Sequence, residues 1–197
     1  MEVRIIMKEL KERIVRDGIV IPPNILKVGS FLNLQVDPVL MEQIGNDFAE
    51  HFAGKGVTKV ATIESSGIAP ALMCAKAMNV PLVILKKKPS RILNQNIYQT
   101  EVTSFTTQTS YELTLSSDYI TENDHVLIID DFLADGEAAT GAVRLIRMAH
   151  ATVAGIGILI EKSFQPGHDK LVAQGFDVYS QARIASMDEN GVHFIEE

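Results

Sequence analysis

Two acids, Asp130 and Asp131, close the apolar run Val126 to Ile129, and a glycine-containing turn, Ala134-Asp135-Gly136, leads from them into a helix-forming stretch. An ionised carboxylate accepts hydrogen bonds and donates none, which suits it to sugar hydroxyls and not to phosphate. The turn supplies the complementary half. The first N–H groups of a helix have no partner inside it, and with the positive end of the helix dipole they favour an anion in the loop that precedes them. Gly136 lets the backbone approach such an anion closely. The chemistry implied is binding of a sugar 5-phosphate, with the acids on its hydroxyls. An acid pair alone would equally suit the solvated end of a parallel strand.

Thr62-Ile-Glu-Ser-Ser-Gly-Ile-Ala-Pro70 repeats that logic one strand earlier. The N–H groups of Ser65, Ser66 and Gly67, with two hydroxyls, suit a second phosphate group. A serine-capped strand-to-helix turn is the plainer reading of that segment alone. Two such junctions in one sheet point to a ligand carrying both a monophosphate and a diphosphate. Lys86, Lys87, Lys88 and Arg91 follow a parallel strand, at the end where ligands bind, so they are either a solvated charge run or neutralisers of departing pyrophosphate. Lys162 ends another apolar strand, where its ammonium could donate to a carbonyl oxygen on a base, with Phe164 available for stacking. The five histidines lack metal-ligand spacing, and Cys74 sits in an apolar helical run as a small buried hydrophobe.

The elements that would position these residues follow from hydrophobic period. Val3, Ile6, Met7, Leu10 and Ile14 recur at helical spacing and predict a helix over 2–16, ended by Gly18. Asp37-Pro38 is an N-cap and first-turn pair, opening a helix that carries Leu40, Ile44, Phe48 and Phe52. Strands are predicted at 57–63, 80–85, 126–129 and 152–160, with helices at 68–78 and 137–149. Apolar strands separated by helices imply an α/β fold, a mostly parallel sheet flanked by helices. The polar stretch 86–123 breaks the rhythm and reads as a hairpin with a long loop. The last thirty residues read as short strands pairing with the N-terminal segment over the site, a small hood. One domain is expected, its core at about 37–165 and its hood at about 1–36 and 166–197.

With 197 residues, 46% of them hydrophobic, the chain can bury a sizeable core. A net charge of -7 argues against nucleic-acid or anionic-membrane partners, which call for a basic face. The charged N-terminal residues do not resemble a signal peptide, and no apolar run reaches the roughly 18 residues of a membrane helix. One cysteine and no disulfide suit a reducing compartment, so a cytoplasmic protein is expected.

The segment 126–138 resembles the binding signature for phosphoribosyl pyrophosphate (PRPP) of the type I phosphoribosyltransferases. Further phrases resemble the bacterial xanthine phosphoribosyltransferases: Phe31-Leu-Asn33, Thr62 to Pro70, Asp124 to Ala134, Gly155-Ile-Gly157 and Glu161-Lys-Ser-Phe-Gln-Pro-Gly167. The likeness runs from about residue 7 to the C-terminus. It implies transfer of 5-phosphoribosyl from PRPP to xanthine, giving XMP and pyrophosphate, by a cytoplasmic homodimer with Mg2+ on the PRPP. It places PRPP on Ala134, Asp135, Gly136, Glu137 and Ala138, and xanthine near Leu26, Asn33 and Lys162. Asp130 and Asp131 are the catalytic candidates, and Ser65, Ser66 and Gly67 the pyrophosphate side. Relatives usually carry Thr or Asn where Asp135 stands and Gln or Gly where Glu137 stands. Acids there should turn outward, leaving backbone N–H groups to the phosphate. Alternatives are a hypoxanthine/guanine phosphoribosyltransferase and a non-catalytic PRPP-sensing regulator, the latter disfavoured for want of a helix-turn-helix or basic stripe.

Overall fold

The computed structural model describes residues 2–87, 96–104 and 109–196. Helix α1 (Glu2–Asp17) leads to a small hairpin, β1 (Ile19–Ile21) and β2 (Ile25–Lys27), and a single π-helical turn at Gly29–Asn33. Helix α2 (Pro38–His51) starts as its sequence implies. The Asp37 carboxylate accepts from the N–H groups of Val39 at 3.1 Å and Leu40 at 3.2 Å, and Pro38 follows it. The same carboxylate accepts from Arg13 at 3.1 Å, which fastens α1 to the head of α2.

Next come β3 (Lys59–Ile63), α3 (Ile68–Met78), β4 (Leu82–Leu85), β5 (Ile97–Ser104), β6 (Thr109–Ser116), β7 (His125–Leu133) and α4 (Glu137–Met148). The chain ends with β8 (Thr152–Lys162), α5 (Gly167–Val172), β9 (Val178–Asp188) and β10 (Gly191–Phe194). Six strands form the central sheet in the order β10-β9-β8-β7-β3-β4, parallel except for β10. Side chains alternate across a strand, and β7 shows the consequence. Leu127 and Ile129 join the core under α1, α2 and α3, whereas Val126 and Ile128 join the core under α4. Buried on both faces, such a strand is apolar at every position.

The hairpin expected within 86–123 is present as β5 and β6, and Lys86 bridges it to the sheet through Thr114. Lys88 and Arg91 lie outside the described residues. Two expectations need correction. The C-terminal strands do not pair with the N-terminal segment: β9 extends the central sheet in parallel with β8, and β10 turns back on β9. Strand β9 buries Ser180, Gln181 and Ala182 in succession, a pattern fitting a strand between two neighbours. Strand β7 also continues past its apolar run, because pairing with β8 persists from Asp130↔Ile158 to Leu133↔Glu161. Among the described residues no helix is long and apolar enough to cross a membrane.

Candidate functional site

The loops after β3 and β7, together with Lys87 just after β4, meet beyond the carboxyl ends of their strands, where an open parallel sheet offers its crevice. The first follows β7. Gly136 takes φ 82°, a left-handed conformation open to glycine without strain, and it turns the chain directly into α4. The loop is held from outside by Gly167, whose N–H donates to the Ala134 carbonyl at 3.0 Å. A β-carbon on Gly167 would stand 2.4 Å from that oxygen and 2.8 Å from the Gly136 nitrogen, so this backbone-on-backbone contact excludes any side chain.

The second loop, Glu64 to Gly67, joins β3 to α3. It comes so close to β7 that a β-carbon on Gly67 would lie 3.0 Å from Asp130 Oδ1. Ser65, Ser66, Asp130, Asp131, Asp135 and Glu137 line one cavity of about 260 Å3. The two junctions inferred from sequence therefore open into a common space. Ala138 lines it as well, while Ala134 turns its carbonyl to Gly167.

The cavity is strongly acidic on its β7 side. Burial, and then the neighbouring charge of Asp131, push the Asp130 carboxyl well above the usual carboxylate range. Its Oδ1 accepts from the Asp131 N–H at 3.0 Å. Opposing this, Lys87 lines the cavity and lies over the Tyr111 ring, 5.5 Å from its centroid. Lys86 is engaged elsewhere: it donates to Glu64 Oε2 at 2.9 Å, and the Lys87 N–H donates to Oε1 at 2.7 Å. Burial would raise the Glu64 pKa, but these donors outweigh it and hold the carboxyl below its ordinary value. Of the described lysines in the run, Lys87 is thus the one facing the cavity.

The third contribution comes from the N-terminal segment. The π-helical turn carries Asn33 to the rim, where its amide donates to Ser66 Oγ at 2.7 Å and reaches Asp131 Oδ2 at 3.4 Å. Lys162, buried at the end of β8, donates to the Asn24 carbonyl at 2.7 Å and stands 5.5 Å from the Phe132 ring centroid. Burial lowers its pKa. Leu26 is nearly covered and lines, with Asn33, a groove of about 600 Å3 that does not include Lys162. Leu26, Asn33 and Lys162, expected together on the base side, thus do not line one pocket.

The two acids of the loop before α4 behave differently. Glu137, although it lines the cavity, extends its carboxylate to Lys170 on α5, 3.4 Å away. Asp135 does not: its Oδ1 accepts from the Glu137 N–H at 3.1 Å, so it folds onto its own loop. This corrects the expectation that both acids turn away. A short acid before a helix finds the unpaired N–H groups of the first turn within reach, and that local bond outcompetes solvent. Sequence reasoning left Tyr111, Thr103 and Glu64 unassigned, although all line the cavity. Tyr111 had a signal in the alternation of its strand; nothing in the sequence says that β5 and β6 fold over the crevice.

The phosphoribosyl transferase domain family matches residues 39–190. A curated relative from Agathobacter rectalis, named xanthine phosphoribosyltransferase, is 72% identical over 97% of this chain and 100% of its own length. One of the same name from Clostridium acetobutylicum is 52% identical over 96% of the chain and 100% of its own. Among solved structures, adenine phosphoribosyltransferase from Rhodothermus marinus aligns with TM-score 0.75 at 24% identity, covering 92% of this chain and 99% of that one, a likeness of fold.

Proposed function

The chain belongs to the phosphoribosyl transferase domain family, and from that premise we propose that it is a xanthine phosphoribosyltransferase, making XMP and pyrophosphate from xanthine and PRPP. The observation that carries the transfer chemistry is the common cavity of the Asp130–Asp131 pair, the loop before α4 and the serine loop before α3. The choice of xanthine is supported by the name of the relative at 72% identity.

In this reading the 5-phosphate sits on the loop 134–138, whose backbone N–H groups and helix dipole hold it. Asp130 and Asp131 accept from the ribose hydroxyls. The diphosphate lies toward Ser65, Ser66 and Gly67, with Lys87 close by. A ring nitrogen of xanthine attacks the anomeric carbon as the bond to the pyrophosphate oxygen breaks. The electron pair leaves with pyrophosphate and the ring nitrogen loses its proton. Because such a carbon develops positive charge while the leaving group gains negative charge, catalysis rests on alignment and on cations at the diphosphate.

Asn33 can both donate and accept, which suits the 2-oxo and ring N–H edge of xanthine. Two of the three Lys162 protons remain beyond the bond to Asn24 for an exocyclic oxygen. Adenine presents an amino donor where Lys162 offers another, so it is disfavoured.

Magnesium fits the donor set. Among the described residues no three His, Cys, Asp or Glu side chains gather as a metal cage. Adjacent carboxylates facing a cavity are the donors of an ion held mainly by substrate oxygens, and the cation would relieve the repulsion within the pair. Bound with PRPP, Mg2+ would neutralise the diphosphate. A cytoplasmic homodimer is the assembly proposed; Leu34, Val36 and Val39 expose apolar surface that a second copy could cover.

The test is a rate comparison of the purified protein with PRPP, Mg2+ and each of xanthine, guanine, hypoxanthine and adenine. Xanthine should be preferred, with XMP and pyrophosphate formed in equal amounts. A preference for adenine, or no pyrophosphate with any base, would sink the assignment.

A further inference from the structure

We propose that Glu161 and His168 are positioning residues for the phosphate loop, so that they govern the use of PRPP and not of the base; this rests on the function proposed above. Glu161 is 1% exposed and receives four donors. Ser163 and Arg183 donate to Oε1, and Ser180 and His168 Nδ1 to Oε2, the last at 2.8 Å. Burial alone would raise its pKa, but the bonds from Ser163 and Ser180 and the nearby His168 outweigh it. Four donors around a buried carboxylate, two of them from the partly exposed Arg183 and His168, fix its geometry.

That geometry is directed at the phosphate loop. Glu161 pairs with Leu133, the residue before Ala134, and on its other side with Arg183 of β9. His168 is bound to Glu161 and adjoins Gly167, the residue whose N–H holds the Ala134 carbonyl and whose α-carbon abuts Gly136. A continuous chain of contacts therefore runs from the end of β8 through His168 and Gly167 to the two loop residues that set the direction of its N–H groups. Lys170, one helical turn from Gly167, meets Glu137 at the start of α4.

Successive side chains of a strand emerge on opposite faces. Glu161 turns to α5 and the phosphate loop, while Lys162 turns to Asn24 and the N-terminal hairpin. One strand end thus serves both substrates by alternation, PRPP through Glu161 and the base through Lys162.

The test uses His168, at the accessible edge of the network, because removing Glu161 would leave Arg183 without its partner. His168→Leu should raise the KM for PRPP on the order of tenfold, the scale expected when a reacting group is held slightly out of place. The KM for xanthine should move by less than about twofold, and His168→Gln, whose amide can still donate to Glu161, should recover most of the loss. Gly167→Ala, which presses directly on Ala134, should give the same selective rise. An unchanged KM for PRPP in both variants, or parallel rises for both substrates that His168→Gln fails to rescue, would overturn the proposal. Calorimetry of the wild-type protein with Mg2+ and PRPP separates the two levels: no binding there overturns the underlying function, whereas binding with unaltered variants overturns only the positioning role.

Discussion

The Asp135 carboxylate accepts a hydrogen bond from the Glu137 N–H at 3.1 Å, so an anion belonging to the protein already occupies one of the donors proposed for the 5-phosphate. A phosphate dianion entering the loop would have to displace that carboxylate or share its neighbourhood.

Asp135→Asn therefore tests a charge effect with little change of shape, since the amide oxygen can accept the same bond. The expected outcome is a lower KM for PRPP, by roughly threefold to tenfold for a partly screened like-charge contact of about 1 kcal/mol. Steady-state kinetics at saturating xanthine measure it. A KM that stays constant or rises would mean that Asp135 swings clear or contacts PRPP favourably.

Asp130 is held well above its ordinary pKa by burial and by Asp131. A carboxyl whose folded pKa exceeds its unfolded value stabilises the fold below the unfolded pKa, and that contribution is lost as pH rises through the folded pKa. Ionised Asp130 thus weighs against the unliganded protein above that pH. Asp130→Asn should raise Tm, and the gain should be larger at pH 8 than near pH 4, while activity falls if the carboxylate holds the ribose. Thermal melts across that range decide it; a Tm lowered at pH 8 would contradict the stored electrostatic cost.

Lys162→Leu should act on the base. Losing a charged donor to an exocyclic oxygen costs about 1.5–3 kcal/mol, or roughly 10- to 100-fold in kcat/KM for xanthine. The KM for PRPP should change far less. Comparable losses for both substrates would instead make Lys162 a structural tie between β8 and the Asn24 carbonyl.

Cys74 is fully buried, and burial pushes its thiol up to about 12. With so little thiolate, the native protein should resist iodoacetamide at pH 8 and label fully once unfolded. Mass spectrometry before and after denaturation reads both states, and rapid native labelling would show that α3 opens.

Much of the site was legible because its chemistry is local. The apolar run, acid pair and glycine turn at 126–138 are consecutive, so strand, loop and helix could be read in order, and Asp37-Pro38 announced α2 for the same reason. Strand length depends on neighbours: without β8 and β10 beside it, Val178 to Asp188 reads as separate short strands and not as the single β9. For Asp135, charge repulsion alone predicts an outward turn, but the N–H of Glu137 two residues on holds the carboxylate to its own loop.

The sequence by itself determined the class of fold and the pieces of the site, since hydrophobic period and turn chemistry act over a few residues. Only the tertiary structure decided which pieces meet. Asn33 reaches Ser66 and Asp131, Tyr111 and Lys87 close over the acids, and Glu161 reaches the phosphate loop through His168 and Gly167. These contacts join residues far apart in the chain. Those at the ends of β3, β4, β7 and β8 arise because parallel strands bring their carboxyl ends to one edge of the sheet, whereas Asn33 and Tyr111 reach that edge from outside the sheet.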